Sequence, residues 1–128
     1  GGIKEEAKGQ WSSSEEESMG GTWAYMAPEQ FQSPKPRPAA DVYSLSLLLH
    51  EALDCSVPTP FATQAHAFDM IVERNVRPDT EDLEEAAAAE GLPGLVPLLQ
   101  RGWKRDRRER PTAKDMYEEL AGMVGTRR

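Results

Sequence analysis

The stretch Asp41–Leu53, DVYSLSLLLHEAL, constrains the fold more than any other part of the chain. Wound as a helix, its Val42, Leu45, Leu47, Leu48, Leu49 and Leu53 cover more than one stripe. A helix that is apolar around most of its circumference needs protein around it. The segment is therefore expected to be the central helix, with the remaining elements packed about it. Asp41 opens it, placing a carboxylate where a helix presents unpaired N–H groups and the positive end of its dipole.

The flanking sequence supplies helices to surround it. Thr63–Asn75 (TQAHAFDMIVERN) sets Ala65, Phe68, Ile71 and Val72 at helical spacing, with one buried and one wet face, which suits the periphery. Glu81–Glu90 (EDLEEAAAAE) is rich in helix formers and has little to bury beyond Leu83, so it reads as a solvated helix or an insertion. Leu95–Trp103 (LVPLLQRGW) is an apolar helix that tolerates Pro97 only in its first turn. Thr112, with Asp115 three positions on, caps a last helix whose Met116, Tyr117, Leu120 and Met123 face inward. Ser33–Pro38 (SPKPRP) has three prolines and reads as a loop. The first twenty residues, with Gly1, Gly2, Gly9, Gly20 and the run Ser12-Ser13-Ser14-Glu15-Glu16-Glu17-Ser18, cannot bury themselves and read as a mobile loop. No alternating strand pattern and no repeat occurs. The expected fold class is mainly α, one long loop followed by five or six helices.

At 128 residues the chain suits one domain able to bury roughly two-thirds of its unfolded surface. Its formal charge of −7 argues against a nucleic-acid binder and against attraction to an anionic membrane. Cys55 is alone, which excludes an intrachain disulfide and fits a reducing compartment. No apolar run approaches the roughly 18 residues needed to span a bilayer, and no targeting segment is evident, so a soluble cytoplasmic protein is expected. His50, Cys55 and His66 lack the close pairing of metal ligands, and no metal site is assigned. The basic run Arg101–Arg110 around Trp103 is read as a loop whose tryptophan packs inward while its charges stay wet. The leucine clusters Leu45–Leu49 and Leu95–Leu99 are read as core.

Three motifs occur in order: GTWAYMAPE (Gly21–Glu29), DVYSLSLLLHEAL (Asp41–Leu53) and WKRDRRERPT (Trp103–Thr112). On these residues the chain resembles the C-terminal lobe of a eukaryotic-type protein kinase domain, from the activation segment to the last helix, over nearly its whole length. The Gly-Thr-x-x-Tyr-x-Ala-Pro-Glu form is similar to serine/threonine kinases, and the Trp-x-x-Asp-x-x-x-Arg-Pro-Thr ending to their tyrosine-kinase-like branch. The resemblance implies residues 1–30 as activation segment with a substrate-platform loop and 31–128 as a helical subdomain. It implies that the Glu29 carboxylate meets the Arg110 guanidinium in a paired contact, and that Asp41 also anchors the backbone of the catalytic loop. It implies that Thr22 contacts the catalytic aspartate and that the stretch Gly21, Thr22, Trp23 to Tyr25 lines the pocket for the substrate residue after the phosphorylated one; packing beneath the loop is the alternative for Trp23. Two departures stand out. Ser46 occupies a position where many family members carry glycine, and Arg107 replaces the proline that usually follows Asp106.

The sequence contains no Gly-x-Gly-x-x-Gly loop, Val-Ala-Ile-Lys strand, His-Arg-Asp loop or Asp-Phe-Gly triplet, the usual carriers of nucleotide, magnesium and base. The expectation is a helical lobe with the N-terminal lobe and catalytic loop absent, no catalytic residue and no cofactor bound by this chain alone. ATP and magnesium are implied for a full-length parent phosphorylating protein hydroxyls. Ser12, Ser13 and Ser14 each precede a glutamate by three positions, an acidophilic kinase pattern, and together with Ser18 and Thr22 they are the candidate phosphosites. Expected partners are a protein substrate or the missing kinase lobe, with self-association through exposed apolar surface. The alternative is a pseudokinase-like interaction module kept for its helical surface and acidic loop.

Overall fold

The computed structural model describes residues 23–33, 35–55 and 61–126. The acidic loop, the candidate phosphosites Ser12, Ser13, Ser14, Ser18 and Thr22, and the platform residue Gly21 lie outside them. Five α-helices are seen among the described residues, with no strand: α1 (Pro38–Asp54), α2 (Gln64–Phe68), α3 (Glu81–Ala89), α4 (Leu95–Gly102) and α5 (Ala113–Thr126). A 3₁₀ turn, Pro28–Phe31, precedes α1, a π-helical turn, Asp69–Glu73, extends α2, and a second 3₁₀ turn, Arg107–Glu109, lies between α4 and α5. None of these helices is long and apolar enough to cross a membrane.

The central helix is α1, which packs against α4, α3 and α5. Its Ala40, Val42, Tyr43, Ser46, Leu47 and His50 are buried. It begins earlier than Asp41. Pro38 takes the first helical position, where its missing N–H is no loss and its fixed φ is already helical, and Arg37 holds the extended cap position. Asp41 therefore sits in the first turn, exposed, rather than at the opening. The helix stops at Cys55, whose N–H makes a last helical bond to the Glu51 carbonyl and whose left-handed φ of 56° then turns the chain out of the helix.

Leu95, Val96, Leu98 and Leu99 of α4 are buried, and Pro97 falls in the tolerated first turn with its ring exposed. Trp103 closes this helix inside the core, edge-on to His50 at 5.8 Å between ring centroids. The His50 Nε2 donates to the Asp79 carbonyl at 2.9 Å, so this imidazole is a satisfied interior group. At the start of α5 the Thr112 hydroxyl accepts from the Asp115 N–H at 3.0 Å.

Several elements depart from the sequence expectation. Helix α3 is exposed over most of its length, as expected of a solvated helix, but Ala87 joins Leu83, one turn away, in the core. The α2 region winds first as α and then as π, with the Arg74 N–H reaching the Asp69 carbonyl five residues back. On α5, Met116 is fully buried and Leu120 and Met123 lie against the core, but Tyr117 is 72% exposed. On α1, Leu47 is in the core and Leu49 packs against it, but Leu45 is 40% and Leu48 47% exposed, so only part of that leucine cluster is core. The apolar circumference is real, and one side of it faces water.

Candidate functional site

The Ala-Pro-Glu corner is held from both sides of the chain. Ala27 and Pro28 are buried, and the 3₁₀ turn that starts at Pro28 aims Glu29 at the loop before α5. There Arg110 donates from Nη1 to Glu29 Oε2 at 2.8 Å and from Nη2 to Oε1 at 2.9 Å, a two-pronged contact between planar groups. The same guanidinium donates to the carbonyls of Lys104, Ala39 and Arg105 at 2.8, 3.0 and 3.2 Å. All five of its N–H donors are therefore engaged. One side chain thus joins the corner, the first turn of α1 and the turn before α5.

Burial pushes the Glu29 carboxyl up. The bonds from Arg110, the residue's own backbone N–H and the nearby charges of Arg110 and Arg107 outweigh it, and hold the group below the usual carboxylate range. The carboxylate is consequently ionised at neutral pH, as a paired contact requires. Beneath the pair lies Tyr43, fully buried, with the Arg110 guanidinium carbon 5.1 Å from its ring centroid. The guanidinium of Arg77 lies 5.1 Å from the same centroid, its Nε donating to the Trp103 carbonyl at 2.9 Å. Burial holds the Arg77 pKa below its usual value, only partly opposed by Tyr43 and reinforced by the charges of Arg110 and Arg105.

Upstream of the corner, Tyr25 is held by α1. Its backbone carbonyl accepts from Ser44 Oγ at 2.6 Å, and its hydroxyl donates to the Glu51 carboxylate. The hydrogen bond to Glu51, with burial and the Glu51 charge, pushes the Tyr25 pKa up to about 12. Ser44 and Glu51 are two helical turns apart and so share one side of α1. Trp23 is half-buried and its carbonyl accepts from the Met26 N–H at 3.2 Å.

Of the sequence-derived site residues, Trp23, Tyr25 and Glu29 lie along one stretch of chain, Tyr25 bonded to α1 and Glu29 to the buried Arg110. Asp41 projects from the first turn of α1 into solvent, and among the described residues it has no catalytic-loop backbone to hold. Sequence reasoning missed Ser44, Glu51 and Arg77. The two-turn spacing of Ser44 and Glu51 was the available signal, whereas Arg77, in a loop before Pro78, carries none that distinguishes it from a wet arginine. Among the described residues no group of three His, Cys, Asp or Glu could hold a metal ion.

With this geometry established, comparison with known proteins decides the family. Residues 6–120 match the family model described as protein kinase domain. The chain belongs to the protein kinase domain family. It is 31% identical to the proto-oncogene serine/threonine-protein kinase mos of Sus scrofa over 82% of this chain and 30% of the relative. It is 34% identical to a protein kinase and PP2C-like domain-containing protein of Oryza sativa subsp. japonica, over 80% of this chain and 17% of that one. It is also 31% identical to human receptor-interacting serine/threonine-protein kinase 3, over 75% of this chain and 19% of the relative. The chain spans less than a third of the length of each of these relatives. In this kinase-domain chain the helical architecture and the order of the three motifs agree with the match.

Proposed function

We propose that residues 1–128 form the substrate-facing helical part of a serine/threonine protein kinase domain of the tyrosine-kinase-like branch. Trp23 and Tyr25, with Gly21 and Thr22, make the platform on which a protein substrate lies. The observation that carries this reading is the Glu29–Arg110 contact, because it anchors the corner next to that platform with every donor of the arginine used. The Ser44 and Glu51 bonds then fix Tyr25 against α1. A substrate platform must keep its shape as segments come and go, and a corner bonded to three separate stretches does so.

The residues present do not fit ATP and magnesium: neither the sequence motifs nor the described carboxylates supply a donor set for them. No transfer step is assigned to this chain. Nucleotide, magnesium and base would belong to other parts of a complete kinase domain, which this chain would complement.

Two measurements test the reading. With radiolabelled ATP and mixed protein substrates, residues 1–128 alone are expected to transfer no phosphate; turnover would refute the assignment of roles. A longer protein that contains this chain is expected to phosphorylate serine or threonine, with Tyr25→Phe raising KM for a peptide substrate more than KM for ATP. If that protein neither binds ATP nor transfers phosphate, the interaction-module alternative replaces the enzyme reading.

A further inference from the structure

A pocket of about 380 Å³ opens beside the corner, between the first turn of α1 and the segment from the Arg107–Glu109 turn to the start of α5. Its volume lies at the low end of the ~300–1,000 Å³ usual for ligand sites. Pro38, Val42, Pro111 and Ala113 give it apolar walls, and Arg37 and Arg107 give it charge. Arg110 also lines it, but the donors of that residue are spent on Glu29 and three carbonyls. Arg37 and Arg107 make no side-chain hydrogen bond or ion pair among the described residues. The Arg37 Nε is moreover buried without any partner there. An unpartnered buried donor is costly, and more so when it belongs to a charged group.

We propose that this pocket is an anion site that takes a phosphoryl group, held by Arg37 and Arg107. Two planar guanidinium groups present forked donors that match phosphate oxygens. Charge decides between phosphate and carboxylate. A phosphomonoester carries about −1.5 to −2 near neutral pH and satisfies both cations, whereas a carboxylate leaves one uncompensated. The apolar walls exclude water from part of the site and so strengthen each contact. The first residues of both flanking helices, Pro38 and Ala113, also line it, and the first turn of a helix favours negative charge. Arg107 is the residue that replaces the family's proline, so this chain places a cation where the pattern has none. The site is separate from the substrate platform, and the assignment does not rest on the proposed kinase role.

The test uses the full 128-residue chain and three probes: inorganic phosphate, a short phosphoserine peptide, and the same peptide with glutamate in place of phosphoserine. Binding is followed by calorimetry and by the shifts of the arginine Nε–H resonances. Saturable binding of the phosphoserine peptide is expected, weakened at least tenfold by Arg107→Gln and by Arg37→Gln, and falling with added salt. Arg107 is exposed, so its substitution should leave the far-ultraviolet circular dichroism unchanged and keep the test valid even if the Arg37 variant folds poorly. Phosphate alone binding as tightly as the peptide supports a free anion as ligand; peptide binding that phosphate does not displace supports a protein-borne phosphoryl group. The proposal is overturned if neither binds, if the Arg107→Gln variant binds unchanged, or if the glutamate peptide binds as tightly as the phosphoserine one.

Discussion

Gly102 on α4 and Ser46 on α1 meet in the contact between the two helices, and substituting the glycine tests that packing directly. A Cβ added to Gly102 would lie 1.8 Å from Ser46 Oγ and 3.0 Å from Ser46 Cβ. Ser46 is fully buried, its hydroxyl donating to the Val42 carbonyl at 2.8 Å and lying 3.9 Å from the Met116 sulfur. Gly102→Ala cannot be absorbed by swinging the hydroxyl away. That rotation gives up a buried hydrogen bond, about 1 kcal/mol, and still leaves two carbons tighter than ordinary contact. The helices must part, and overpacking of this kind costs ~1–3 kcal/mol. The expected destabilisation is therefore about 2–4 kcal/mol.

The same geometry predicts a rescue. Ser46→Gly alone costs about 0.5 kcal/mol in helix propensity and opens a small gap. In that background the alanine methyl at position 102 has room, and the double variant should lie close to Ser46→Gly. The coupling is then the whole cost of Gly102→Ala, about 2–4 kcal/mol, at the upper end of the ~0.5–3 kcal/mol measured for residues in contact. Urea unfolding of the four proteins, followed by the fluorescence of buried Trp103, reads it as a midpoint shift of about 1 M. Equal cost of Gly102→Ala in both backgrounds would refute the reasoning.

Other consequences can be checked with the same protein. Glu29→Gln should destabilise by about 2–3 kcal/mol, less than the ~3–5 of a wholly buried pair because 21% of the Glu29 side chain reaches solvent. Because the folded pKa of Glu29 is depressed, its contribution is present above the unfolded carboxylate pKa and is lost as pH falls through the lower folded value; acid unfolding of wild type and Glu29→Gln should converge there. Cys55→Gly relieves a left-handed φ of 56° and should raise the unfolding free energy by about 0.5–1 kcal/mol, an unchanged or lowered urea midpoint counting against strain at that cap. Leu45 and Leu48 face water on adjacent turns of α1, so the chain should associate as its concentration rises. Light scattering should show the Leu45→Gln/Leu48→Lys variant monomeric at concentrations where the parent is not.

Much of the architecture is readable from residues because burial follows strong local signals. The leucine-rich stretch of α1 has too many apolar positions for a surface helix, and the Thr112–Asp115 cap marks the start of α5 by a bond available locally. What resists reading depends on neighbours distant in sequence. Helix α3 offers only one large apolar residue, yet alanine at position 87 is small enough to let another helix approach and is buried for that reason. Tyr117 has the right spacing to face inward, but its neighbour Met116 is the residue that enters the core, and the ring is left outside. Pro38 reads as loop from its proline-rich context and proves to be the first residue of α1, since the first helical position tolerates proline. At the site, motif residues identify Glu29 and Arg110, whereas Ser44 and Glu51 are ordinary helix-surface residues until Tyr25 is placed over them.

The arrangement also explains why the corner and the core cannot be independent. Around its circumference α1 gives the Ala39 carbonyl and the Tyr43 ring to Arg110, Ser44 and Glu51 to Tyr25, and Ser46 to α4. These positions belong to one hydrogen-bonded rod, so α1 cannot shift away from α4 without carrying the Arg110 acceptor and both Tyr25 contacts with it. A packed interior has low compressibility and transmits such displacements rather than absorbing them. The shape of the surface from Trp23 to Glu29 is therefore set by helix packing several turns away as much as by its own motif.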